Sequence, residues 1–351
     1  MNKRFVIGFS LYVTASLFSG CNSGTQNTQV QDVVELKWQA DGNSIYGFLQ
    51  SYTATNTSVN PSAGYTIVRF NSDGSLAETY NLDPKSRPRD LVTGSLDSYT
   101  PSLFVSSDAS TIVTQLDADL YRYHPKSGIL EKLVTQFHLI VASPDLHYAI
   151  GTPSLDPQVI KTIIIYDLSA SPVRIVHQFD IKGVAASSGI WLNNGLFGIT
   201  CNDSVGAHIS IFDTTSSGTP LSVIGGAEIA FHNAVFDSLT NELFFRNHGG
   251  KATDYFVDKV NLTTFSRGNI LNFKVENFDV TRDESAIIYS AYDASSTIHM
   301  KTRNLQSSNE LAIADDIRLI IALSPKEDKL AYIRQRDQNF NEVRVLAFTK
   351  P

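Results

Sequence analysis

One unit recurs along this chain, and it constrains the fold more than any single motif. An apolar strand runs into a turn of Ser, Asp or Asn, and a second apolar strand follows. A variable loop leads to a third strand, and a tight polar turn leads to a fourth. The clearest first halves are 140–151 (IVASPDLHYAIG), 278–291 (FDVTRDESAIIYSA) and 321–334 (IALSPKEDKLAYIR). The clearest second halves are 119–134, 162–176 and 208–224, and looser copies fill the rest of the chain. Anchored on the first turn, the units sit at Asp41, Asp108, Asp145, Asn194, Thr240, Asp283 and Asp328, with spacings of 67, 37, 49, 46, 43 and 45. Most of these lie close to the length of a four-stranded propeller blade, about 40–45 residues. Short Val-, Ile-, Tyr- and Phe-rich runs between Gly, Asn, Asp and Pro clusters are strand-and-turn punctuation, and no long helical pattern interrupts them.

A lone four-stranded sheet cannot bury both of its faces. Packing such sheets radially buries every face and leaves only short edges. The expected fold is therefore all-β, a single propeller over residues 33–351, most simply of seven four-stranded blades. The long first spacing holds two polar insertions, 53–64 and 83–100, in which an eighth, degenerate blade has no visible strand pair. The last unit offers only three strands before Pro351, so the segment Gln29 to Val33 is expected to supply the missing strand and close the ring through paired N- and C-terminal segments.

The motifs Ala142-Ser143-Pro144-Asp145 and Leu323-Ser324-Pro325-Lys326, each followed by a Tyr-containing apolar strand, resemble the repeats of TolB-type, WD-like bacterial propellers. Gly follows the Asp position in that pattern and in neither of these two units. The resemblance implies a propeller and an envelope protein that works through partners. It transfers no site residue, because a blade motif marks fold and not activity.

The N-terminus is an address. Lys3 and Arg4 precede an apolar run, Phe5 to Phe18, and small residues follow, which is the build of a secretory signal over residues 1–20. Phe18-Ser19-Gly20-Cys21 resembles the bacterial lipobox, in which the Cys thiol receives a diacylglyceryl group and the new amine is acylated. That resemblance makes Cys21 the lipidation site and residues 21–32 a polar tether. Asn22, rather than Asp, follows the Cys, which by the same resemblance directs the protein to the outer membrane. Two or three acyl chains anchor stably, at about 0.8 kcal/mol per buried CH₂. With Cys21 lipidated, Cys201, the other of the two cysteines, has no intrachain partner and reads as a buried, inert thiol.

Chemistry is harder to find. The net charge of −7 argues against a nucleic-acid binder, which needs a basic footprint. HExxH, CxxC, GxGxxG, P-loop and GxSxG motifs are all absent from the sequence, so it supports no metal, nucleotide or other cofactor and no appended hydrolase domain. His138, Ser187, His232, Glu276 and Arg318 fall at the entrances to the innermost strands. Two His, a Glu and an Arg there could bind an anion, hold a metal or act as acid and base. Equally, they line any water-filled channel and cap strand ends. Asn247-His248-Gly249-Gly250 is either an anion nest or a turn, the basic cluster Lys85 to Arg89 is a solvated loop or a partner contact, and Trp38 and Trp191 read as packing residues between blades. The leading expectation is a monomeric, membrane-anchored binding propeller of the cell envelope with a protein or ligand partner and no catalysis. The alternative is a lactonase- or lyase-like enzyme with its site at the channel mouth, using His138, His232 and Glu276.

Overall fold

The computed structural model describes residues 28–54, 59–60, 65–82, 103–116, 119–153, 161–181, 184–193, 195–204, 206–215, 217–228, 234–248, 255–315, 317–337 and 340–351. Seven antiparallel sheets are arranged as a seven-bladed β-propeller. Blades 2, 3, 4 and 6 are four-stranded meanders in chain order, from Leu103–Val105 to Ile129–Val134, His138–Ala142 to Arg174–Asp180, Val184–Trp191 to Ser222–Gly225, and Asn277–Val280 to Glu310–Asp315. In blade 5 the inner strand is split: Ala227–Glu228 and Ala234–Asp237 both pair with Glu242–His248.

Among the described residues, seven hydrophobic clusters fill the ring, one at each seam between neighbouring blades. The period of two along the strands builds them. In blade 5, Leu243 and Phe245 face blade 4 while Phe244 between them faces blade 6, and all three are fully buried. In blade 3, Ile163 and Ile165 face blade 4 and Ile164 faces blade 2. Each buried side chain of this size contributes roughly 2–3 kcal/mol, so the middle strands, apolar on both faces, hold the disc together. Trp38 and Trp191 take the inter-blade places expected of them. Trp191 stacks on Tyr148 of blade 3 at 6.2 Å, and Trp38 Nε1 donates to the Ala322 carbonyl of blade 7 at 2.9 Å.

The seam that closes the circle packs Leu36, Ile45, Val68 and Phe70 of blade 1 against Ala331 and Ile333 of blade 7. Terminal pairing is present, in a different form from the expected one. Residues 29–33 are not a separate outer strand. They open a continuous strand, Thr28–Trp38, that pairs antiparallel with Ser44–Ala54 along its whole length, with a bulge between Val33 and Glu35. Its contact with the third strand of blade 7, Phe340–Ala347, is parallel, with Gln31 opposite Phe340. The strand starts at Thr28, inside the stretch assigned to the tether; Cys21 and the signal segment lie outside the described residues.

The first turns explain the absent Gly. In blade 3, Asp145 accepts from the Ser143 hydroxyl at 2.5 Å and from the His147 N–H at 3.0 Å, and Leu146 takes the left-handed conformation, φ 56°. Ala109, Glu284 and Glu327 do the same in blades 2, 6 and 7. The Ser/Asp hydrogen bonds and packing against the next blade offset a strain of about 1–2 kcal/mol per residue. Two of these left-handed residues also tie blades together: Glu284 takes Lys259 of blade 5 at 2.8 Å, and Glu327 takes the Arg282 N–H of blade 6.

Candidate functional site at the central channel

The inner strands ring the axis, and side chains on them and on the second strand of blade 2, Ile112–Leu116, bond blade to blade. Glu35 of blade 1 accepts the Leu103 N–H of blade 2 at 2.6 Å. Gln115 of blade 2 accepts the Leu139 N–H of blade 3 at 2.8 Å. Asp279 of blade 6 accepts the Leu323 N–H of blade 7 at 2.8 Å and, through its other oxygen, the Val280 N–H. An inner strand has no neighbour on its axial edge, so these acceptors satisfy main-chain donors that would otherwise stay unpaired.

The residues expected at the channel entrance divide as follows. His138 opens the inner strand of blade 3. It is buried, with Nδ1 3.4 Å from Gln115 Nε2. Its carbonyl is crowded against Gly151 on the next strand, where any Cβ would collide with that oxygen and with the Phe137 ring, so the local backbone requires glycine. Glu276 precedes the inner strand of blade 6 and forms an ion pair with Lys274 at 3.0 Å. Arg318 lies on the inner strand Ile317–Leu323 with Ile333 as its register partner, and its side chain is outside what is described. His232 is outside the described residues altogether. His138 and Glu276 therefore stand in different blades, each with its own local partner. Among the described residues no three His, Cys, Asp or Glu side chains come together as a metal ion would need. Asn247 is the penultimate residue of the second strand of blade 5, Glu242–His248, and donates to Asp258 at 2.8 Å; Gly249 and Gly250 lie outside the described residues, as does the 85–89 cluster.

Reading the strand entrances missed the two inner-strand acids. Burial raises Glu35 to about 7, against the opposing pull of Lys37 at 3.8 Å and of the Leu103 N–H. Burial likewise raises Asp279 to about 6, although the Leu323 and Val280 N–H groups and Lys37 act to lower it. Lys37, on the same strand as Glu35, acts to lower both carboxyls. Part of the Asp279 surface opens on a cavity of about 230 Å³ at the turn side of blades 5–7, lined also by Asp237, Thr281, Arg282, Ser324 and Glu327. A carboxyl that titrates near 6 can exchange a proton close to neutral conditions. The available signal was a single acid inside an apolar run, Val34-Glu35-Leu36 and Phe278-Asp279-Val280.

No family model matches the chain, and no curated protein sequence matches it. Solved structures do. An oligogalacturonate lyase from Vibrio parahaemolyticus is 11% identical over 93% of this chain and 92% of its own, with a TM-score of 0.58. An oligogalacturonate lyase in complex with manganese is 10% identical over 92% and 91%, also at 0.58. A chain of a mitotic checkpoint complex is 14% identical over 96% and 99%, at 0.59. At these identities the likeness establishes the propeller and nothing of its chemistry.

Proposed function

We propose that this chain is a lipid-anchored propeller of the cell envelope, held at the outer membrane through Cys21, which binds a protein or ligand partner on its faces and catalyses no reaction. The observation that supports a binding role is how three buried or half-buried polar side chains near the axis are used. Glu35, Gln115 and Asp279 are committed to main-chain N–H groups of neighbouring strands. Such a rigid disc presents loops for recognition. The anchor rests on the Lys3-Arg4 start, the apolar run and the Phe18-Ser19-Gly20-Cys21 motif. In this reading His138, His232, Glu276 and Arg318 are the contacts for a ligand entering the channel.

The test is metabolic labelling with a palmitate analogue, followed by crosslinking and affinity capture from native membranes. The wild type should label, sediment with outer membrane and retain a stoichiometric envelope partner. Cys21→Ser should lose label and membrane together. A second reading, a lyase acting at the channel mouth, has the fold of the oligogalacturonate lyases in its favour. Incubation with oligogalacturonate and Mn²⁺ should yield no unsaturated product. Product that disappears in His138→Ala would replace the binding reading with the enzymatic one.

A further inference from the structure

The strands that join blades 1 and 7 are longer than closing the ring requires. Glu35 accepts the Leu103 N–H, so it stands level with the residue at which the inner strand of blade 2 begins. The strand Thr28–Trp38 starts well before that level and stays paired with Ser44–Ala54, out to Thr28 opposite Ala54. Val59–Asn60 adds a further short strand at that end, opposite Ala54 and Thr53. Blade 7 behaves alike. Its inner strand starts at Ile317 opposite Arg334, whereas the second strand runs on to Asp337 and the third starts at Phe340, beside Gln31. At about 3.3 Å per residue, the blade 1 hairpin reaches on the order of 20 Å past the entrance level of its neighbour. A lone two-stranded ribbon is marginal, and the contact with blade 7 braces this one.

The direction of this strand decides which face can approach a membrane. It runs from Thr28 on the entrance side to Trp38 beside the first turn, where Trp38 Nε1 meets the Ala322 carbonyl. Those ten residue steps cover about 33 Å. Seven steps separate Cys21 from Thr28, and a fully extended chain spans at most about 25 Å in that number. An acyl group on Cys21 therefore cannot bring the turn face down onto the bilayer, because the tether is too short to reach back past its own strand. Charge acts in the same direction. The first turns together hold seven acids, among them Asp41, Asp108, Asp145, Asp283 and Asp328, against two bases, Arg282 and Lys326. An anionic lipid surface repels such a face.

We propose that the disc stands on the blade 1 hairpin with its channel entrance toward the lipid surface and its first turns away from it. A soluble partner then meets the turn face, and the channel mouth opens toward the membrane. The proposal rests on the reading of Cys21 as the lipidation site.

The experiment reconstitutes the full lipidated chain into vesicles of phosphatidylethanolamine and phosphatidylglycerol that carry an acceptor dye on the headgroup. A donor dye is attached through single cysteines at exposed positions. Thr135→Cys, Ser204→Cys and Ala294→Cys lie on the entrance side around the ring, and Lys126→Cys and Gln306→Cys on the turn side. Cys201 is buried and stays unlabelled. Energy transfer should place the three entrance positions nearer the headgroups than the two turn positions by about 15 Å, the rise of a five-residue inner strand such as His138–Ala142. Should one variant fail to fold, the remaining positions still compare the two sides. Equal distances for the two sides, or a nearer turn side, would overturn the orientation and leave the anchor standing. So would entrance positions that differ among themselves as much as the two sides do, the result for a disc on its edge. Cys21→Ser protein that binds the same vesicles as the wild type does would overturn the anchor reading and the proposal with it.

Discussion

Acidic side chains occupy two settings in this ring, and similar main-chain partners lead to opposite outcomes. In the turn of blade 2, the Ser106 hydroxyl and the Ser110 N–H and hydroxyl hold Asp108 down at about 2. In the turn of blade 6, Lys350 and Ser285 hold Asp283 well below the ordinary carboxylate range. On the inner strands, Glu35 and Asp279 also accept N–H groups and also feel a lysine, yet they rise to about 7 and about 6. The two settings differ in water and in hydrogen-bond count: Asp108 accepts three bonds at the surface, Glu35 one and Asp279 two in the interior. One or two N–H donors do not restore what a carboxylate loses when its solvent is removed. The turns use acids as ionised locks, whereas the inner ring uses acids that take up a proton at or just below neutral pH.

The strongest way to break this comparison is Glu35→Ala. It leaves the Leu103 N–H buried and unpaired beside a void, and at pH 5 it should lower stability by about 3 kcal/mol in denaturant unfolding. Next comes the pH dependence. A carboxyl whose folded pKa exceeds its unfolded value binds protons more tightly in the folded chain, so stability falls as pH rises. For Glu35 the window runs from its unfolded value of 4.5 to about 7. The wild type should lose roughly 2 kcal/mol between pH 5 and pH 8 through this group, and Glu35→Gln, which keeps an acceptor for Leu103, should flatten that slope.

Turn acids carry the opposite sign. Burial pushes Asp145 up, but the Ser143 hydroxyl and the His147 N–H more than offset it, so its pKa lies below the ordinary value. Asp145→Ala should cost about 1 kcal/mol at neutral pH. The deficit should shrink as pH falls through the depressed pKa of Asp145, below 3.8. The smallest effect is expected at Ala109, whose φ of 54° favours glycine. Ala109→Gly should raise stability by about 0.5 kcal/mol, as relief of strain slightly exceeds the added chain entropy.

Much of the ring was legible because blades announce themselves locally. Apolar strand, Asp turn and apolar strand lie within a dozen residues of one another, and their spacing carries the blade count. The split inner strand of blade 5 was not legible, because its two pieces share one partner strand across a gap in sequence. The closure was legible only in outline. Composition shows that the last unit lacks a strand, and it cannot show that Gln31 meets Phe340 in parallel. Glu35 and Asp279 escaped for a related reason. Alternation assigns a charged residue in an apolar strand to one face, whereas the donors they cap lie 68 and 44 residues away on other blades. Likewise, the sequence places His138 at a strand entrance and says nothing of Gln115 beside it.

The most direct measurement follows the two inner-ring carboxyl carbons by ¹³C NMR through a pH titration of the selectively labelled protein. Midpoints near 7 for Glu35 and near 6 for Asp279 are predicted. Midpoints near 4 for both, as in solvated side chains, would contradict a ring joined at its axis by desolvated acids.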